Sequence, residues 1–133
     1  MYLFHGTYKN NLKELVPKLG RATKDSLNKS HKEGIYASDF WLLSVVHTVL
    51  NLAEIKSGKN SYWSYSLYNN NILHFKCSKE LFNFIKNNPN YKIYIYRVSN
   101  KNFVETNGGY FTQHKKEILG KEVITFKQFL LLL

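Results

Sequence analysis

Apolar and polar positions along this chain change period several times, and each change marks an element. The opening YLFHGT reads as a short strand, and GIYAS at 34–38 as a second. Between them, residues 9–19 (KNNLKELVPKL) carry Leu12, Leu15 and Val16 at helical spacing, which predicts a short helix stopped at Pro17. Residues 20–33 are polar and basic and read as a loop. Residues 39–56 (DFWLLSVVHTVLNLAEIK) are apolar nearly all round and predict the principal helix, capped by Ser38 or Asp39 and ended by SGKN. The alternating YWSYSLY and ILHFKC flank an NNN turn and predict a hairpin. SKELFNFIKNN predicts a short amphipathic helix with Ser78 at its cap, and Pro89 beyond its end. YKIYIYRV, NFVE, GYFTQ and EVITF complete a strand-rich C-terminal half.

This order gives two early helices, one short later helix and about seven strands. Regular strand–helix alternation is missing, so the expected class is α+β rather than a doubly wound parallel sheet. No repeat and no Pro/Gly-rich linker divides the 133 residues, which form one domain, 1–133.

Composition changes the picture in three ways. Aromatics make up 16% of the chain and hydrophobic residues 44%, enough to build a core without staples. The single cysteine, Cys77, excludes an internal disulfide, and His31, His74 and His114 show no metal-ligand spacing, so no metal is expected. The formal charge of +10, from 19 Lys+Arg against 9 Asp+Glu, favours a polyanionic partner. Only Arg21 and Arg97 are arginines, which argues against base-specific reading of nucleic acid. With no basic-then-apolar leader and no apolar run long enough for a bilayer, a cytoplasmic protein without membrane contact is the default expectation.

Three local features carry candidate chemistry. A histidine followed by glycine at the mouth of the first strand (His5, Gly6, then Thr7) is a poor way to build a core, whereas glycine lets a ligand approach the backbone. On the principal helix, Ser44, His47 and Asn51 interrupt the apolar surface at spacings of three and four, along one face. Two readings fit that stripe equally: a narrow solvent face, or the wall of a cavity. The strand face bearing Lys92, Tyr94 and Tyr96 is suited to stacking but reads first as structural.

Taken together, FHGT at 4–7 and GIYAS at 34–38 with the following helix resemble the poly(ADP-ribose) polymerase-like ADP-ribosyltransferases. The resemblance covers roughly the first third of the chain. It implies a split β-sheet or sandwich with a few flanking helices, and NAD as substrate. It also implies an ADP-ribosyltransferase or NAD glycohydrolase activity that breaks the nicotinamide–ribose bond. By the same resemblance, His5 and Gly6, in the HGT motif completed by Thr7, hold ribose and nicotinamide. Tyr36 stacks on the ring, Ser44 binds the carboxamide, and His47 stands where the family has its second aromatic. Arg21, in the basic loop, is placed either to cover the NAD phosphates or simply in solvent.

The family's carboxylate, a glutamate on a late strand, has no clean counterpart. The aligned strand places Gly109 or Tyr110 there. Gln113 lies further along it, and Glu122 in KEVITF mimics the pattern locally while also reading as an exposed strand residue. These two are the candidates to assist the ribosyl cation. NGGYFT also resembles the NGVWLT segment of RNA 2′-phosphotransferases, which use NAD without that glutamate; there Phe4 stands where an arginine is expected. A binding module for NAD, ADP-ribose or a nucleic-acid end is the alternative from another class. The acceptor, protein or nucleic acid, is left open.

Overall fold

The computed structural model describes residues 1–18, 33–69, 72–106 and 109–133. Its elements run β1 (Tyr2–Thr7), β2 (Glu14–Leu15), β3 (Ile35–Ala37), α1 (Trp41–Ser57), β4 (Trp63–Tyr68), β5 (Ile72–Cys77) and α2 (Lys79–Asn87). They continue with β6 (Lys92–Ser99), β7 (Val104–Thr106), β8 (Gly109–Thr112), β9 (Lys116–Glu117), β10 (Gly120–Thr125) and α3 (Phe126–Leu131). Every strand pair is antiparallel: a sheet ordered β1-β6-β10, another ordered β3-β8-β7, and the pairs β2-β9 and β4-β5. The class is therefore mixed α and β, built on small antiparallel sheets.

The alternation of YKIYIYRV explains how one strand serves two cores. Ile93 and Ile95 turn to one face of β6 and join Val45, Val49 and Leu50 of α1, Leu81 and Ile85 of α2, and Phe126 and Phe129 of α3. Tyr96 and Val98 turn to the other face and join Leu3, Leu15, Ile35 and Ala37. Each fully buried aliphatic or aromatic side chain in these clusters contributes about 1.5–3 kcal/mol. The tyrosines on this strand are indeed structural where buried: the Tyr96 hydroxyl donates to the Lys9 carbonyl at 2.8 Å and accepts from the Leu12 N–H at 3.3 Å.

That phenol also accounts for residues 9–18, the described part of the expected helix, which are not helical. Asn11 adopts φ 60°, Leu15 enters the second core from a two-residue strand, Val16 is exposed, and Lys18 bridges Gly34. Pro17 disfavours helix at the preceding residue, leaving a stretch far shorter than the 12–15 residues an isolated helix needs. Tertiary partners then take the backbone groups instead. The principal helix begins at Trp41 rather than after Ser38 or Asp39, with Phe40 at its cap and no side-chain cap bond. Ser38 is held extended by its bridge to Phe4, and its Oγ accepts from the Phe40 N–H at 3.0 Å. The second helix follows expectation, with the Ser78 side chain accepting from the Leu81 N–H. The final apolar run, residues 129–133, begins inside α3, which ends at Leu131.

The chain contains more strands than the pattern predicts, since β2 near its start and β9 in the C-terminal half are two-residue pairings too short to leave a period. The hairpin β4-β5 stands as expected, with turn residues 70 and 71 outside the described residues. Cys77 lies half-buried on β5, where desolvation pushes its thiol pKa up. Among the described residues no helix is long and apolar enough to cross a membrane, and no group of three His, Cys, Asp or Glu side chains is placed to hold a metal ion.

Candidate functional site

The two motif strands meet at one point and then part. Phe4 and Ser38 exchange both backbone hydrogen bonds, N–H of Phe4 to O of Ser38 at 2.7 Å and N–H of Ser38 to O of Phe4 at 3.0 Å. This bridge is isolated, so the ladder between β1 and β3 does not continue. Strand alternation turns the N–H and C=O of Gly6, two residues on from Phe4, toward the same side. At the next level the Tyr36 carbonyl is taken by a side chain: the His5 ring bonds it through Nδ1 at 2.6 Å. Because a carbonyl only accepts, Nδ1 carries the proton and the neutral ring keeps Nε2 as an acceptor. His5 is half-buried, and desolvation lowers its pKa below 6.5; the Tyr36 carbonyl opposes that shift and the nearby Lys18 charge reinforces it.

Tyr36 owes its position to its neighbours. Ile35 and Ala37 are buried in the second core, so the residue between them must face the other way. The residue is 41% exposed, and its ring lies 4.9 Å from that of Phe111, its direct cross-strand partner, at 50°. Gly34 makes room for this arrangement: a Cβ there would fall 2.0 Å from the Phe111 ring. Phe111 is the partner that the sequence did not identify, since only the β3–β8 register couples it to Tyr36.

The glycine of the HGT motif has a different cause from the one its sequence suggests. Its missing Cβ faces α1, where it would fall 1.8 Å from Thr48 Oγ1, so helix packing alone requires glycine. The bare α-carbon is thus covered by α1 and is not what a ligand would approach. Thr7 closes the strand, its Oγ1 accepting from the Lys9 N–H at 3.2 Å.

The polar stripe on α1 splits between two environments. Ser44 is buried and its Oγ donates to the Phe4 carbonyl at 3.1 Å, which fastens the helix to the bridge between β1 and β3. His47 points to the hairpin instead, edge-on to Trp63 at 5.1 Å and to Tyr65 at 6.3 Å. Its pKa is lowered by desolvation, although the residue is exposed.

The structure thus gathers His5, Gly6, Tyr36 and Ser44 around the Phe4–Ser38 bridge. The two candidates to assist the ribosyl cation lie elsewhere. Register sets Gly6, Ile95 and Glu122 side by side across β1, β6 and β10, and His5, Tyr96 and Lys121 in the adjacent row. Glu122 therefore leaves the sheet on the face opposite His5, and two strand spacings separate them, about 10 Å. Gln113 follows β8 and, with Pro17, Glu33 and Lys115, lines a shallow open hollow of about 410 Å³. Arg21 and the rest of 19–32 lie outside the described residues. Comparison with known proteins gives no match: no family model, no curated protein and no solved structure matches this chain.

Proposed function

We propose that this chain is an NAD-binding domain of the ADP-ribosyltransferase-like fold, transferring or hydrolysing ADP-ribose with loss of nicotinamide. The observation that carries this reading is the parting of β1 and β3 after the Phe4–Ser38 bridge. Beyond that bridge the His5 ring bonds the Tyr36 carbonyl, and the Tyr36 side chain is exposed; both support this reading. A pyridine carboxamide needs an aromatic face for its ring and a paired donor and acceptor for its amide. Gly6 offers such a pair, Tyr36 offers the face, and His5 Nε2 is an acceptor for a ribose hydroxyl. Ser44 supports the site from beneath by bonding Phe4. In this reading the catalytic residues are His5 and Tyr36, and NAD is the substrate.

A second reading, a binding module that holds NAD or ADP-ribose without turnover, is favoured by one observation: Glu122 is remote from His5 and on the opposite face. Incubation with NAD separates the two. Released nicotinamide that disappears in Tyr36→Ala supports the transferase or glycohydrolase. Saturable NAD binding without nicotinamide release, lost in Tyr36→Ala, supports the module. If NAD neither binds nor turns over, both readings fail.

A further inference from the structure

The hairpin β4-β5 and the helix beside it hold a group of rings that the cores do not absorb. Alternation along β4 puts Trp63 and Tyr65 on one face, opposite their cross-strand partners Cys77 and Phe75. The two rings lie 6.1 Å apart and 22° from parallel, an offset stack. His47 of α1 stands edge-on to both, 5.1 Å from Trp63 and 6.3 Å from Tyr65. Trp63, Phe75 and Cys77 pack against the first core, whereas Tyr65 is 42% exposed and His47 is exposed. Single exposed aromatics are ordinary on a protein surface, but rings grouped between a helix and a hairpin form a platform.

The surrounding chain decides what such a platform receives. Residues 55–79 contain Lys56, Lys59, Lys76 and Lys79, all exposed, and no Asp or Glu. Two of these lysines are placed beside the rings by backbone bonds at the foot of the hairpin. There the Ser78 N–H donates to the Tyr62 carbonyl at 2.9 Å, and Ser78 Oγ accepts from the Tyr62 N–H at 3.1 Å. Lys79 directly follows that clasp, Lys59 shortly precedes it, and Trp63 adjoins Tyr62. Desolvation lowers the His47 pKa below 6.5, so at pH 7 this residue adds a neutral ring and no charge. Flat rings beside cations, in a chain of net charge +10, match a ligand that carries flat bases along a polyanionic backbone. An apolar protein partner is matched less well, because it would strip water from these lysines without supplying a counter-charge.

We infer that Trp63, Tyr65 and His47 form a stacking platform for single-stranded nucleic acid, with Lys59 and Lys79 on its phosphates. Bases must be unpaired to lie on the rings, so the ligand is a single strand and not a duplex. Stacking tolerates every base, which agrees with a surface served by lysines and not by arginines. The platform is independent of the NAD reading, since it uses neither His5 nor Tyr36.

Fluorescence anisotropy of a labelled oligothymidylate of about 12 nucleotides tests this on the whole chain. The native protein is expected to bind at low salt, and Tyr65→Ala to bind about tenfold more weakly, the worth of one stacked base. Tyr65→Phe keeps the ring and is expected to bind as the native protein does. Tyr2→Ala, which removes an exposed tyrosine from the β1-β6-β10 sheet, is expected to leave binding unchanged. Lys59→Gln and Lys79→Gln are each expected to reduce the slope of log K against log salt by about 0.7. Trp63 supplies a second signal: the oligonucleotide is expected to quench tryptophan emission in the native protein, and much less in Trp63→Phe, where only Trp41 remains. This quench and the two lysine slopes decide the matter even where Tyr65→Ala folds poorly. The inference is overturned if the oligonucleotide does not bind, if a duplex of the same length competes as well as the single strand, or if Tyr2→Ala weakens binding as much as Tyr65→Ala. It is also overturned if sedimentation shows Tyr65→Ala dissociating a dimer while oligonucleotide binding stays unaltered, since the face then belongs to a second copy of the chain.

Discussion

Gly6 and Thr48 are in direct contact where β1 crosses α1, so closely that a Cβ on residue 6 would fall 1.8 Å from Thr48 Oγ1, 2.9 Å from Thr48 Cβ and 3.1 Å from Ile95 Cδ1. Neither side can yield cheaply, because Thr48 is fixed by donating its hydroxyl to the Ser44 carbonyl at 2.7 Å. Gly6→Ala is therefore expected to destabilise the domain by about 1–3 kcal/mol through overpacking. Combining it with Thr48→Ala should recover part of that loss, since the Oγ1 clash disappears while the Cβ contact remains. Denaturant unfolding of the two single variants and the double variant measures the coupling; strict additivity would show that the contact is not the cause.

Ser44 has a structural duty that a ligand contact would not require. Its hydroxyl donates to the Phe4 carbonyl, which also accepts from the Ser38 N–H. Removing the hydroxyl leaves that carbonyl with one partner, so Ser44→Ala is expected to cost about 0.5–1.5 kcal/mol, toward the lower end. The same variant is expected to weaken NAD binding only as far as it loosens the bridge. A large loss of binding with unchanged stability would show that Ser44 touches the ligand directly.

Much of the architecture was legible from the sequence because it depends on local period and local caps. The alternation of YKIYIYRV, the hairpin halves around NNN and the Ser78 cap each announce themselves within a few residues. The convergence of residues 5 and 36 was reachable only through the resemblance, as no local signal pairs strands thirty residues apart. Sequence failed where a distant group decided the outcome. Leu12 and Leu15 sit at helical spacing, yet the Tyr96 phenol and Pro17 keep the segment out of a helix. Glu122 could not be assigned a face from EVITF alone, because only its pairing with Ile95 says which side of the sheet it leaves. The capping box at Thr125 and Gln128 is written in the chain as T-x-x-Q, a short signal that the adjoining leucine run overshadows.

The position of Glu122 makes a kinetic prediction. If nicotinamide is released at the gap between β1 and β3, a carboxylate on β10, two strands and about 10 Å from His5, adds little to charge stabilisation at the ribose. Glu122→Gln is expected to retain the native rate of nicotinamide release, in the same assay in which Tyr36→Ala loses it. A rate lost equally in both variants would require Glu122 to reach the gap from another arrangement of β10.

Acid should destabilise the domain through its two desolvated imidazoles. The pKa values of His5 and His47 are lowered from 6.5 in the folded state. As pH falls past that ordinary value the unfolded chain takes up these protons first, so unfolding becomes easier, and the loss continues until the folded values are passed. Their contribution is thus fully present above pH 6.5. The thermal midpoint is expected to fall between pH 7.5 and 5. His47→Asn, at an exposed ring, should keep the fold and flatten part of that slope. An unchanged slope in this variant would place the acid sensitivity elsewhere.

The C-terminal helix offers a graded test of what holds a short element in place. At six residues α3 is too short to persist alone, so it must rest on its cap and on its packing. The cap is reciprocal: the Gln128 N–H donates to Thr125 Oγ1 at 3.1 Å and the Thr125 N–H donates to Gln128 Oε1 at 2.8 Å. The packing comes from Phe126 and Phe129, both fully buried, while Leu131, Leu132 and Leu133 are exposed. Phe129→Ala is expected to cost about 3–5 kcal/mol, Thr125→Ala about 1 kcal/mol and Leu132→Ser within about 0.5 kcal/mol. Chemical denaturation ranks the three. A cost at Leu132 comparable to that at Phe129 would mean that the exposed leucines, and not the buried phenylalanines, anchor the end of the chain, and the core assigned to α3 would have to be redrawn.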